Sequence, residues 1–183
     1  QLTHDVPADA MFGNYPYRTG ASAFFRDHFD KLAETITRTR PDKGRVLDIG
    51  ANDGTFLAAC SRRGWDTYGV EPDRVLAEEA RKAADAAVIT GYWETAGIVG
   101  AHFSREDMNP GPSSIDVITA CNVFAHASDL HDFLRGVTKA LKPDGLFIFE
   151  VYYLPNLLRD GAFDTFYHEH VYTHHVTPLV RLL

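Results

Sequence analysis

A chain of 183 residues, 45% hydrophobic and 23% charged, is long enough to bury the core of one globular domain and too apolar for a disordered segment. Its net charge of -7 argues against a nucleic-acid backbone or an anionic membrane as partner, since either favours a basic face, and points to a small metabolite. No apolar run approaches the ~20 residues of a membrane span, the start lacks a signal-peptide pattern, and Cys60 and Cys121 have neither disulfide-scaffold density nor zinc-site spacing, so a cytoplasmic protein, with monomer the favoured state, reduced core thiols and no metal ligands, is expected.

In chain order, Phe24, Phe25, Phe29, Leu32 and Ile36 fall at helical spacing and predict a helix from Ala21 to about Thr37, closed by Pro41. Arg45–Ile49 reads as a short buried strand, Gly50–Gly54 as a tight turn, and Thr55–Arg63 as a helix. A second strand at Thr67–Val70 leads into a helix opened by Glu71-Pro72-Asp73 and running to about Ala84. Ala87–Thr90 is a third strand. Glu94 to about Phe103 is predicted helical and Ser104–Ser114 a loop. Ile115–Ala120 is the fourth strand, Asp129–Leu141 a helix stopped by Lys142-Pro143-Asp144-Gly145, and Leu146–Val151 the fifth strand. Strands alternating with helices predict a doubly wound, mostly parallel sheet with helices on both faces, a Rossmann-like α/β fold.

In such a sheet, ligands bind beyond the carboxyl ends of the strands, which directs attention to the first loop, Asp48-Ile49-Gly50-Ala51-Asn52-Asp53-Gly54. Gly50 and Gly54 permit close backbone approach, and Glu71, about 20 residues on at the end of the next strand, suits a ribose diol. A dinucleotide would bring its pyrophosphate toward Asp48 and Asp53, where like charges at ~4 Å cost about 4 kcal/mol at an effective dielectric near 20. S-adenosylmethionine carries a sulfonium and an ammonium and gains from the same carboxylates. The competing readings are a dinucleotide and a plain glycine turn in a domain that binds nothing.

A second constellation follows the fourth and fifth strands. Cys121-Asn122-Val123-Phe124-Ala125-His126 and Tyr167-His168-Glu169-His170 place several proton-handling groups at one end of the sheet. With Tyr15-Pro16-Tyr17, Val46–Gly54, Gly69-Val70-Glu71-Pro72 and Asp129-Leu130, these runs resemble the deoxysugar C-methyltransferases, which act on nucleotide-linked 4-keto sugars in the making of antibiotic sugars. The resemblance implies a class I methyltransferase core with S-adenosyl-L-methionine as cofactor and S-adenosyl-L-homocysteine as product. It also implies a dTDP-4-keto sugar as substrate, methylated on carbon through an enolate. Zinc is expected only with an upstream cysteine-rich module of the kind such family members carry, and the family's later domain and final sheet strands are expected past Leu183.

His170 is the expected base, since an ordinary imidazole titrates near pH ~6.5, with Glu169 orienting it or replacing it. Tyr167 and His126 are expected to stabilise the oxyanion. The donor site is expected to comprise Asp48, Gly50, Asn52, Asp53, Gly54, Glu71, Pro72 and Asn122. Tyr92 and Trp93 either edge the adenine or belong to the core, and Tyr15 and Tyr17 either cover the substrate or form a packed aromatic turn. Residues 1–42 are read as a covering segment with the first helix, 43–151 as the cofactor-binding core, and 152–183 as a catalytic loop. An O- or N-methyltransferase on another small natural product, or a non-catalytic module of this fold, are the alternatives.

Overall fold

A computed structural model describes residues 7–93, 113–167 and 170–183, with Asp9 described in its backbone only. Five strands carry the architecture: β1 (Arg45–Ile49), β2 (Asp66–Glu71), β3 (Ala87–Thr90), β4 (Ile115–Cys121) and β5 (Leu141–Glu150). They pair in the order β3-β2-β1-β4-β5, and every pairing is parallel. The order reverses between β1 and β4, so the crevice of the sheet opens there, beyond Ile49 and Cys121.

Strand periodicity divides the core. Val46 and Val117 join Phe29, Ala33 and Ile36 of α2 (Ala23–Thr39, which follows the short α1, Ala8–Phe12), Phe56 and Leu57 of α3 (Thr55–Ser61) and Ala77 and Ala80 of α4 (Arg74–Ala84) on one face. Leu47, Ile49 and Ile118 join Phe133 and Val137 of α5 (Leu130–Ala140) on the other. Neighbouring residues on a strand point to opposite faces, which is why Val46 and Leu47 enter different cores.

Several boundaries differ from the sequence expectation. Glu71 and Pro72 precede α4 rather than starting it, because Asp73 is the cap, its carboxylate accepting from the amides of Val75 and Leu76. Asp129 caps α5 in the same way. The fifth strand starts at Leu141 rather than Leu146: Leu141 pairs with Ile115, the register then shifts, and Leu146 pairs with Val117. The intervening Lys142–Gly145 is an irregularity within the strand, pinned by Lys142 Nζ donating to Asp116. The stretch 152–183 contains α6 (Leu154–Asp160), α7 (Val176–Leu182) and a 3-10 turn at Phe163–Thr165. It is therefore partly helical rather than one loop. Leu179 and Leu182 of α7 pack on the same core as Phe147 and Phe149 of β5. The helix expected at Glu94–Phe103 lies outside the described residues, as does most of the Ser104–Ser114 loop.

Candidate active site

A cleft of about 950 Å³ opens over the switch point, floored by the β1 and β4 loops and walled by α2 and the segment before it. Gly50 ends β1 at φ +74° and its amide donates to Val70. A Cβ there would run into Cγ2 of Val123 from the β4 loop, so glycine is what lets the two loops meet. Gly54 has a different duty: at φ +80°, its missing Cβ would lie 2.6 Å from Cα of Ala80, so it sets the close approach of α3 and α4.

Asp48 is buried, and its carboxylate accepts from the Thr119 hydroxyl at 2.6 Å. Burial pushes its pKa up to about 8, against the Thr119 hydrogen bond, with the fields of Glu71 and Glu150 adding to the rise. Glu71 accepts from the amides of Asn52 (2.8 Å) and Asp73 (3.0 Å), and burial raises its pKa against those two bonds. Asn52 and Asn122 both adopt left-handed backbone, at φ +49° and +57°, a conformation asparagine tolerates better than most residues. Asn52, Asn122 and Pro72 line the cleft. Asp53 and Gly54 do not: Asp53 accepts from Thr55 at the start of α3 and from the amide of Gly20. The Asp53 carboxylate thus holds the start of α3 and Gly20 rather than lining the cleft.

Tyr92 and Trp93 follow β3 and line the same cleft. The Trp93 indole N–H donates to the carbonyl of Phe133 at 3.1 Å and its ring packs on Phe133, so it is a core anchor with one side on the cleft. Tyr15 and Tyr17 line the opposite wall within a run of ring contacts from Phe12 through Tyr15 and Tyr17 to Phe25. Their segment is strapped to the loops after β1 and β2. Asp73 accepts from the amide of Tyr15, Asn52 bonds both the amide of Thr19 and the carbonyl of Tyr17, and Arg18 forks onto Glu79.

Beside these, His126 and His170 meet edge to face at 5.2 Å, with Tyr167 (4.4 Å) and Tyr152 (5.2 Å) against His170. His170 Nδ1 lies 2.7 Å from the carbonyl of Thr165. A carbonyl only accepts, so Nδ1 carries the proton and Nε2 is the basic nitrogen of the neutral ring. Burial, reinforced by His170, pushes the pKa of His126 down to about 4, which keeps it neutral at pH 7. Glu169 lies outside the described residues. Two further lining residues escaped the sequence reading. His28 of α2 and Glu150 at the end of β5 are bonded at 2.7 Å.

Among the described residues, the lining holds Asp48, Glu71, Asp129, Asp132 and Glu150 and no Lys or Arg. That acidic set, with no Lys or Arg among the described lining residues, suits a cationic ligand better than a pyrophosphate. A five-stranded parallel sheet of this order among the described residues, with acidic groups at the ends of β1 and β2, is a Rossmann-like fold. The chain belongs to the methyltransferase domain family, whose profile matches residues 17–183. It is 31% identical over 171 residues to the C-methyltransferase NovU of Streptomyces niveus, covering 92% of this chain and 39% of that protein. It is 30% identical over 138 residues to a ubiquinone biosynthesis O-methyltransferase of Azorhizobium caulinodans, covering 73% of this chain and 49% of that protein. The chain thus spans less than half the length of either relative. Its fold is that of a SAM-dependent methyltransferase from Thermotoga maritima, with TM-score 0.59 and 21% identity over 87% of this chain and 71% of that one.

Proposed function

We propose that this chain is an S-adenosylmethionine-dependent C-methyltransferase that acts on the carbon beside the ketone of a nucleotide-linked 4-keto deoxysugar. One observation carries the reading: the His126, Tyr152, Tyr167 and His170 cluster opens onto the same cleft as the donor loops, as carbon-acid chemistry requires. Similarity to a C-methyltransferase supports it. When bound, S-adenosylmethionine supplies an electrophilic methyl on a sulfonium. Asp48, Gly50, Asn52, Glu71, Pro72, Tyr92, Trp93 and Asn122 hold it in this reading.

His170 Nε2 removes the proton next to the ketone, its ring held in one tautomer by the Thr165 carbonyl. Neutral His126 and the Tyr167 hydroxyl donate hydrogen bonds to the enolate oxygen, where fixed donors lower the barrier most. Tyr15 and Tyr17 cover the acceptor. Since the described lining residues include no Lys or Arg, this reading puts the sugar in the cleft and the diphosphate outside it.

The test is the exchange of the substrate's acidic proton with deuterated water. The His170→Ala variant is expected to lose that exchange while still binding S-adenosylhomocysteine; exchange at the wild-type rate moves the role to Glu169 or to another group. The similarity to an O-methyltransferase supports a second reading, methylation of oxygen. The position of the methyl in the product, read by NMR after incubation with a dTDP-4-keto-6-deoxy sugar, separates the two. Absence of S-adenosylhomocysteine binding at millimolar concentration would leave only a non-catalytic module.

A further inference from the structure

Five carboxylates line the cleft among the described residues, and four have partners close to them in the fold. Asp48 accepts from Thr119 on the adjacent strand, Glu71 from the amides around its own strand end, and Asp129 from the first turn of α5, while Asp132 pairs with Arg135 one turn away. Glu150 is different. Its partner is the imidazole of His28, a residue 122 positions earlier on α2, and both side chains are about one third exposed. A carboxylate accepts and does not donate, so His28 Nε2 donates to it and fixes its direction.

The position of the pair matters as much as its chemistry. Glu150 is in register with Cys121, and its carbonyl accepts from the amide of Asn122, so it borders the donor loop. Two residues on, Tyr152 touches His170, so it also borders the proposed base. Phe24, Phe25 and Phe29 make ring contacts with His28. Glu150 thus lines the cleft beside Asn122 and two residues before Tyr152, its carboxylate held by His28.

Building on the keto-sugar reading, we propose that Glu150, oriented by His28, determines acceptor specificity by receiving a hydrogen bond from a ring hydroxyl or ammonium of the sugar. Binding of the donor product does not involve it. The test compares wild type with Glu150→Gln on dTDP-4-keto-6-deoxyglucose and on analogues in which single ring hydroxyls are replaced by hydrogen or by an amine. Glu150→Gln is expected to raise KM about 10–100-fold on the parent and amine substrates, with kcat within about threefold, because a hydrogen bond to a charged group is lost. On one deoxy analogue the penalty falls below about threefold.

His28→Ala is expected to repeat the defect, while His28→Gln, which retains a donor toward Glu150, restores most of the affinity. Affinity for S-adenosylhomocysteine, by calorimetry, stays at the wild-type value in all three variants. An equal penalty on every analogue, or a loss confined to kcat, overturns the proposal. No turnover of any keto-sugar nucleotide by the wild type rejects the keto-sugar reading and this subsite with it, an outcome distinct from a uniform penalty.

Discussion

Gly50 and Gly54 look alike in the chain and fail differently when given a side chain. At Gly54 the neighbour is backbone, Cα of Ala80 at 2.6 Å, so Gly54→Ala forces α3 and α4 apart at positive φ. A loss of about 2–4 kcal/mol is expected from strain and overpacking together, read from urea unfolding. At Gly50 the obstacle is a Val123 methyl on the β4 loop. Gly50→Ala is expected to weaken S-adenosylhomocysteine binding at least tenfold, and Val123→Ala in the same chain to recover part of it. The roles of single residues were unevenly legible. His126 and His170 were found because they follow strand ends, where any parallel sheet opens. His28 was hidden inside an amphipathic helix, and Glu150 closed an apolar strand, so neither carried a pattern. Asp53 was assigned to the ligand on charge alone, whereas its carboxylate is used by Thr55 and Gly20.

At the level of elements, the segment Tyr15–Gly20 is attached to the β1 and β2 loops through side chains that sequence alone does not pair. Asn52 makes two of these bonds, to Thr19 and Tyr17. At about 1 kcal/mol each, their loss in Asn52→Ala is expected to open the segment roughly 10- to 30-fold more often. Trypsin cleavage after Arg18 measures this, and an unchanged rate refutes the attachment. Asp73→Ala removes both the α4 cap and the bond to Tyr15, a cost of about 1–3 kcal/mol in urea unfolding. Strands β1 to β4 were readable within a residue or two because short apolar runs between turn residues leave few alternatives. The start of β5 was not, since Pro143 and Gly145 look like a terminator and only pairing with Ile115 draws Leu141 into the sheet.

For the whole molecule, the consequence of burying Asp48 beneath the switch point is a stability that depends on pH in an unusual direction. The folded protein holds the Asp48 proton up to about pH 8, while the unfolded chain releases it near the ordinary value of 3.8. Between those limits the native state binds the extra proton, so stability falls as pH rises, with a slope approaching ~1.4 kcal/mol per pH unit from this group. Below pH 3.8 both states are protonated, and above about 8 both are ionised, so the contribution is flat outside the window. Asp48→Asn is expected to remove this slope in urea titrations at pH 5, 6 and 7; an unaltered slope assigns it elsewhere. His126 acts in the opposite sense at lower pH, because its depressed pKa of about 4 costs stability as the pH drops below ~6.5.

The anchoring of Trp93 gives the protein a built-in optical probe. Of the two tryptophans, Trp65 is bonded to Thr37 and is not part of the cleft wall, whereas Trp93 is locked to Phe133 and forms part of that wall. In a Trp65→Phe variant all indole emission arises at the cleft wall, so titration with S-adenosylhomocysteine becomes a fluorescence measurement needing no label and no acceptor.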